Sequence, residues 1–266
     1  MKEKIQSLID AECPWRDTLY WYNTIDSTNT QAKIMAESGA PDGTILVAHG
    51  QTGGRGRMGR NFHSPVGKGI YLSIILRPNC QPEQLMHLTC AVGTAACDAI
   101  EAVTGYRPGV KWINDLVAGK QKLGGILTEL LLEPKTAAVR AAIIGIGINC
   151  SHTQADFPPE LQEIATSLET VTSKKLNQEE LTAALICSLW KLSGILLTHQ
   201  ATLMQRYRND CITLGKEVVL LRGEEKRYAR ALDIAQDGSL IIALEDGTTT
   251  VVTSGEVSVR GMYGYV

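Results

Sequence analysis

The segment between residues 44 and 76 admits few folds. It opens on an apolar run, 44–49, and closes on another, 70–76. Between them stands Gln51-Thr-Gly-Gly-Arg-Gly-Arg-Met-Gly-Arg-Asn-Phe-His-Ser-Pro-Val-Gly-Lys-Gly69. Glycines 53, 54, 56 and 59 free the backbone for positive φ, and Pro65 with Gly67 interrupts any helix that follows them. Two strands joined by a glycine-rich loop is the expected local fold. Residues 44–81 carry Arg55, Arg57, Arg60, Lys68 and Arg77 but no Asp or Glu, in a chain whose net charge is -2. Backbone N–H groups without neighbouring Cβ atoms, interleaved with forked guanidiniums, suit phosphate or carboxylate oxygens. The loop reads as an anion cradle, with a merely solvated basic loop as the alternative.

Familiar nucleotide motifs do not account for it. Gly54, Gly56 and Gly59 satisfy G-x-G-x-x-G, but a dinucleotide fingerprint opens a helix and has an acidic ribose ligand about 20 residues on. Here the next acid is Glu83, after the second apolar run. No G-x-x-x-x-G-K-[ST], H-R-D or D-F-G occurs in a usable place. Covalent and metal-hydrolase chemistry also lack a motif. The five histidines are dispersed, the seven cysteines form no C-x-x-C pair, and no G-x-S-x-G occurs. Reduced, buried cysteines are expected, and so is a cytoplasmic location. Residues 1–12 lack a signal-peptide core, and no apolar run approaches the roughly 20 residues of a membrane span. A pI near 6.2 argues against a general nucleic-acid partner.

Along the chain, residues 2–11 pattern as a short amphipathic helix and 18–25 as an aromatic strand. That strand delivers Asp26-Ser-Thr-Asn29 onto a helix of about nine residues ending at Gly39. Ser27 or Thr28 caps the helix, contacts a polar ligand, or does both. Apolar spacing predicts a core helix over 82–103 and another over 177–197, while 205–210 reads as a charged, solvated stretch. Residues 110–113 read as a strand holding Lys111, whose ammonium needs either an anion or a route to solvent. A hairpin tip at 119–121 returns into a strand with Gly124-Gly125, which implies close approach of a ligand or another backbone. Residues 142–149 form an apolar strand with glycines alternating on one face and Asn149 at its end. After Gly215 the pattern changes to five short β segments with Asp237-Gly238 and Asp246-Gly247 turns. The expected domains are 1–213 and 214–266.

Several motifs in register resemble the biotin protein ligases. Gly54-Arg-Gly-Arg-Met-Gly-Arg60 is similar to that family's biotin and adenylate loop, and Lys111-Trp-Ile-Asn-Asp115 to its Lys-Trp-Pro-Asn-Asp motif. Gly145-Ile-Gly-Ile-Asn149 is similar to the segment bordering its nucleotide pocket, and Asp26-Ser-Thr-Asn29 and Gly255-Glu-Val-Ser-Val-Arg260 also fit, in the family's order. The resemblance implies an α/β (α+β) class II synthetase-like domain, a mixed sheet flanked by helices, with a small C-terminal SH3-like barrel.

It also implies a reaction. Biotin and ATP with Mg²⁺ would give biotinyl-5′-AMP, and a lysine of a biotin carboxyl carrier domain of a biotin-dependent carboxylase would then take the biotinyl group. By the same resemblance Ser27, Thr28, Asn29, Gln51, Arg55, Gly56, Arg57 and Lys111 would bind biotin. Arg55, Arg57, Arg60, Trp112, Asn114, Gly124, Gly125 and Asn149 would bind the adenylate. Lys111, Arg57, Asp115 and Lys122 would be catalytic. Mg²⁺ would arrive with ATP, Asp115 or Lys122 helping to hold it or to orient the incoming amine, with no protein cage of its own. Ile113 and Met58 depart from the family pattern. No DNA-binding domain precedes residue 18, so no repressor role is expected. Two alternatives are a biotin-adenylate sensor without catalysis and a lipoate ligase-like acyl transferase; monomer and homodimer are both open.

Overall fold

A computed structural model describes residues 1–222, 225–253 and 258–261. In chain order come α1 (Lys2–Leu8), β1 (Leu19–Tyr22), α2 (Thr28–Glu37), β2 (Thr44–Ala48), β3 (Gly69–Leu76) and α3 (Leu88–Thr104). Four strands follow, β4 (Gly109–Lys111), β5 (Asp115–Ala118), β6 (Gln121–Leu132) and β7 (Val139–Asn149), then helices α4 (Leu168–Thr172), α5 (Gln178–Ile195) and α6 (Gln200–Asp210). The described residues after these are β8 (Glu217–Arg222), β9 (Glu225–Ile234), β10 (Leu240–Leu244), β11 (Thr249–Val252) and β12 (Ser258–Gly261) with their connections.

The first seven strands make one sheet in the order β1-β2-β3-β7-β6-β5-β4, and the last five make a second in the order β11-β10-β9-β8-β12. Among the described strands only β1 and β2 run parallel, so the large sheet is mixed and the small one antiparallel, as expected. Period-two alternation assigns each residue of β7 to a face. Ile144, Ile146 and Ile148 join the main core with α3 and α5, whereas Ala141 and Ile143 pack with Ala32 and Ala36 of α2 in a smaller cluster. Gly145 and Gly147 continue that second face without side chains. Alternating glycine thus opens a gap under the N-terminus of α2.

The structure corrects four expectations about elements. Residues 205–210 are not a solvated stretch: they end α6, with Tyr207 and Asp210 buried, because Tyr207 fills the main core and Arg107 takes both oxygens of Asp210 at 2.7 Å. The core helix starts at Leu88, since Pro82–Leu85 forms a separate 3₁₀ turn closed by a reciprocal Gln81–Gln84 capping box. Helix α1 stops at Leu8. Strand β4 stops at Lys111, and residues 112–114 turn the chain, with a cis peptide between Trp112 and Ile113. Of the C-terminal motif, residues 255–257 lie outside the described residues and Ser258-Val-Arg260 begins β12.

Candidate active site

Ser27 folds back on the start of α2, its hydroxyl accepting from Thr30 N, as an N-cap does. The next two side chains turn inward. Gln51 Oε1 accepts from Thr28 N at 2.8 Å and Thr28 Oγ1 at 3.1 Å, and Gln51 Nε2 donates to Ser64 Oγ at 3.0 Å. Ser73 Oγ lies 2.8 Å from Thr28 Oγ1 and 2.6 Å from Asn29 Oδ1, and Asn29 Nδ2 donates to Glu129 Oε2 at 3.0 Å. Ser27, Thr28, Asn29, Ser64 and Ser73 are all buried, so this is a prearranged polar end rather than a wet surface. It closes a cleft of about 310 Å³, partly open to solvent, lined also by Arg55, Phe62, Leu127, Gly145 and Gly147. A Cβ on Gly145 would fall 2.0 Å from Asn29 Oδ1, and one on Gly54 would fall 2.5 Å from Phe62 O and Ser64 Oγ. Only glycine lets strand and loop approach this closely.

The basic loop over the cleft is a small hairpin. Phe62 N donates to Gly54 O at 2.8 Å and Gly56 N to Arg60 O at 2.7 Å, with Met58 and Gly59 in the left-handed region at the tip. Arg57 is directed inward, its Nη1 donating to Asn114 Oδ1 at 3.0 Å. Asn114 Nδ2 donates to Asp115 Oδ1 at 3.2 Å and to Ile126 O at 3.1 Å, and Lys122 Nζ donates to Asp115 Oδ1 at 2.6 Å. Lys111, 7 % exposed, pairs with Asp115 in the β4–β5 register. Burial lowers the Arg57 pKa while the Asp115 charge pulls it back up and Arg60 lowers it further. Four cationic or acidic groups of the sequence reading, Arg57, Lys111, Asp115 and Lys122, thus gather in one cluster beside the hairpin.

Sheet register relates the two ends. Lys111, Asp115, Gly125, Gly147 and Tyr71 are successive partners across one row, and Leu127, Gly145 and Ser73 form the next row on the same face. Two residues along a strand separate them, about 7 Å. An elongated ligand with a neutral polar head and an anionic tail would meet hydrogen-bonding groups at the first end and positive charge at the second.

Other residues singled out in the sequence take different places. Trp112 is buried in the seam between the two sheets, its N donating to Thr213 Oγ1 and its Nε1 to Gly238 O, both at 2.9 Å. Asn149 holds the following loop, Nδ2 donating to Thr166 O at 3.0 Å. Arg60 joins the loop through its backbone while its residue is exposed. Gly124 faces Gly147 O, 2.5 Å from where a Cβ would sit. Sequence reading missed Phe62, Ser64, Ser73, Leu127 and Glu129 as parts of this site. Ser73, a small hydroxyl in the apolar run of β3, and Glu129, a lone acid in β6, carried the signal.

Comparison with known proteins gives consistent matches. The sequence model of the Biotin/lipoate A/B protein ligase family matches residues 21–149, and that of the biotin protein ligase C terminal domain matches residues 213–260. The chain is 34% identical over 237 residues to the bifunctional ligase/repressor BirA of Bacillus spizizenii, covering 89% of this chain and 72% of that protein. It is 33% identical over 256 residues to the biotin–[acetyl-CoA-carboxylase] ligase of Mycobacterium tuberculosis, covering 94% and 91%. The fold is similar to that of the Aquifex aeolicus biotin protein ligase in complex with biotin and ATP, with TM-score 0.77, 30% identity and coverage of 91% and 98%.

Proposed function

The chain belongs to the biotin protein ligases of the Biotin/lipoate A/B protein ligase family, and on that footing we propose that it joins biotin to ATP and passes the biotinyl group to one lysine of a biotin carboxyl carrier domain. The observation that carries this reading is the two-ended cleft. A bicyclic head with a neutral urea suits the Thr28–Gln51–Ser64 end, and a carboxylate one strand step away suits Arg57 and Lys111.

In the first step a carboxylate oxygen of biotin attacks the α-phosphorus of ATP, forming the mixed anhydride and releasing pyrophosphate. Two anions must be brought together, so the main barrier is electrostatic. Arg57 and Lys111 oppose it with fixed positive charge in a partly dry site, where a preorganised donor is worth about 100- to 1000-fold in rate. In the second step the acceptor lysine's neutral amine attacks the acyl carbon and AMP leaves. Asp115, ion-paired with Lys122 at 2.6 Å, would be the group to receive the amine's N–H. The enzyme contributes no nucleophile and relies on positioning.

Mg²⁺ would neutralise the triphosphate. Among the described residues no group of three or more His, Cys, Asp or Glu side chains could hold a metal ion. The ion would be carried on nucleotide oxygens, and Asp115 is the acid of this cluster that would hold it. A cytoplasmic place of action agrees with the need for ATP and with free cysteines, six of the seven buried.

The test is to incubate the protein with biotin, ATP, Mg²⁺ and a carrier domain, and to read the carrier's intact mass. Addition of one biotinyl group is expected. An unmodified carrier, with pyrophosphate also unreleased, would reject the assignment.

A further inference from the structure

Glu129 is one of two acids, with Asp115, in a site that otherwise gathers cations. It lies on β6 one step beyond Leu127, paired with Ile143, and so occupies the row past the blind end of the cleft. Asp115 is two such steps away, about 13 Å. The two acids therefore flank opposite ends of the cleft. Each also answers a different arginine of the same hairpin: Arg57 acts through Asn114 toward Asp115, whereas Arg55 Nη2 lies 4.0 Å from Glu129 Oε1. Glu129 further accepts from Lys33 Nζ and from Asn29 Nδ2, two side chains one helical turn apart on α2.

Arg55 lines the cleft at the end where the polar head would sit. Left unbalanced there, a guanidinium attracts a carboxylate, as Arg57 does at the other end. A ligand with one anionic tail could then enter backwards, with its carboxylate away from the reacting phosphate. We propose that Glu129 is a positioning and specificity-determining residue: it neutralises Arg55 and Lys33, making the blind end accept an uncharged polar head and reject an anion, and it holds Asn29 in place against Ser73. This deepens the ligase reading and rests on it. The site's polarity along the cleft is set by where the two acids stand.

The experiment is biotin-dependent pyrophosphate release by the wild type, Glu129→Gln and Glu129→Asp, each also titrated with azelate, a linear dicarboxylate. Glu129→Gln keeps the acceptor oxygen for Asn29 but removes the charge. Backward binding is nonproductive, so the variant is expected to lower kcat and the biotin KM together, about tenfold, with kcat/KM within about threefold and the ATP KM unchanged. Azelate, anionic at both ends, is expected to inhibit Glu129→Gln at least about fivefold more tightly than the wild type. Glu129→Asp is expected to restore most of the wild-type discrimination. General loosening of the site would weaken biotin and azelate together, so the lower biotin KM with tighter azelate separates positioning from mere structure. A wild-type biotin KM in Glu129→Gln, or azelate inhibition no tighter than in the wild type, would overturn the proposal. Absence of biotin-dependent pyrophosphate release from the wild type itself would instead bring down the ligase reading, and this inference with it.

Discussion

Lys111 shows how a residue's meaning depends on its partners. In the sequence it is a cation in an apolar run, suited to solvent unless an anion meets it; in the fold it is 7 % exposed, which closes the route to solvent. Its charge, with that of Arg57, is the term the proposed chemistry relies on. Lys111→Met and Arg57→Met are each expected to slow pyrophosphate release at least about 100-fold. Thermal melts should show both variants folded, since each removes a charge and keeps an apolar stem. Near wild-type rates in either would mean that this end of the cleft does not face the reacting phosphorus. Gly145 makes the complementary point, because its contribution is the absence of a side chain: Asn29 Oδ1 occupies the space where a Cβ would go.

Two loops matter as elements. The hairpin over residues 54–62 is held to itself by backbone hydrogen bonds, yet Arg55, Met58, Gly59 and Arg60 are exposed. A lid of this kind would shield a mixed anhydride from water. Adding biotin with ATP is expected to slow amide hydrogen exchange over residues 53–67; exchange unchanged by both ligands together would remove the lid role. The second loop leaves β7 after Asn149. Its His152 is 1 % exposed and stacks on Phe157, centroids 4.7 Å apart and planes at 8°. Burial, with His63 beside it, pushes the His152 pKa down to about 4 from 6.5. The native imidazole therefore stays neutral where the unfolded one takes a proton. Between pH 6.5 and 4 the unfolded state binds more protons, so this histidine's contribution to stability falls as pH falls and is gone below the lower value, with a ceiling of about 3 kcal/mol. Urea melts at pH 7 and pH 5 should show His152→Gln losing less stability than the wild type across that interval. Equal losses would place the pH sensitivity elsewhere.

At the scale of the whole molecule, the small sheet is anchored beside the reacting end. Trp112, adjacent to Lys111 in sequence, donates to Gly238 O, and Arg208 of α6 pairs with Asp233 of β9 at 2.7 Å. Helix α6 is itself fastened to α3 through Arg107, which meets Asp210, Asp98 and Glu101. Asp210 is buried, so removing its partner leaves a charge without compensation. Arg107→Met is expected to cost about 3 kcal/mol. That corresponds to a Tm lower by about 6–12 °C at this size. A melt shifted by less than a degree would show that the helix is held by packing alone.

The sequence by itself determined the strand-loop-strand frame, the basic loop, the alternating glycines of β7 and the change to β hairpins after Gly215. Each follows from a local property: the conformations glycine permits, period-two alternation, or turn chemistry at Asp-Gly. Charge in residues 205–210 was legible, but not the burial of Tyr207 and Asp210, because their partners lie a hundred residues away. Trp112 could be noticed but not placed, since Gly238 O is 126 positions downstream. Only the tertiary structure set Ser73 and Glu129 beside Asn29, and gave Arg55 and Arg57 carboxylates at opposite ends of one cleft. Strand register brings distant residues together, and a sequence shows the residue types while leaving that register unstated.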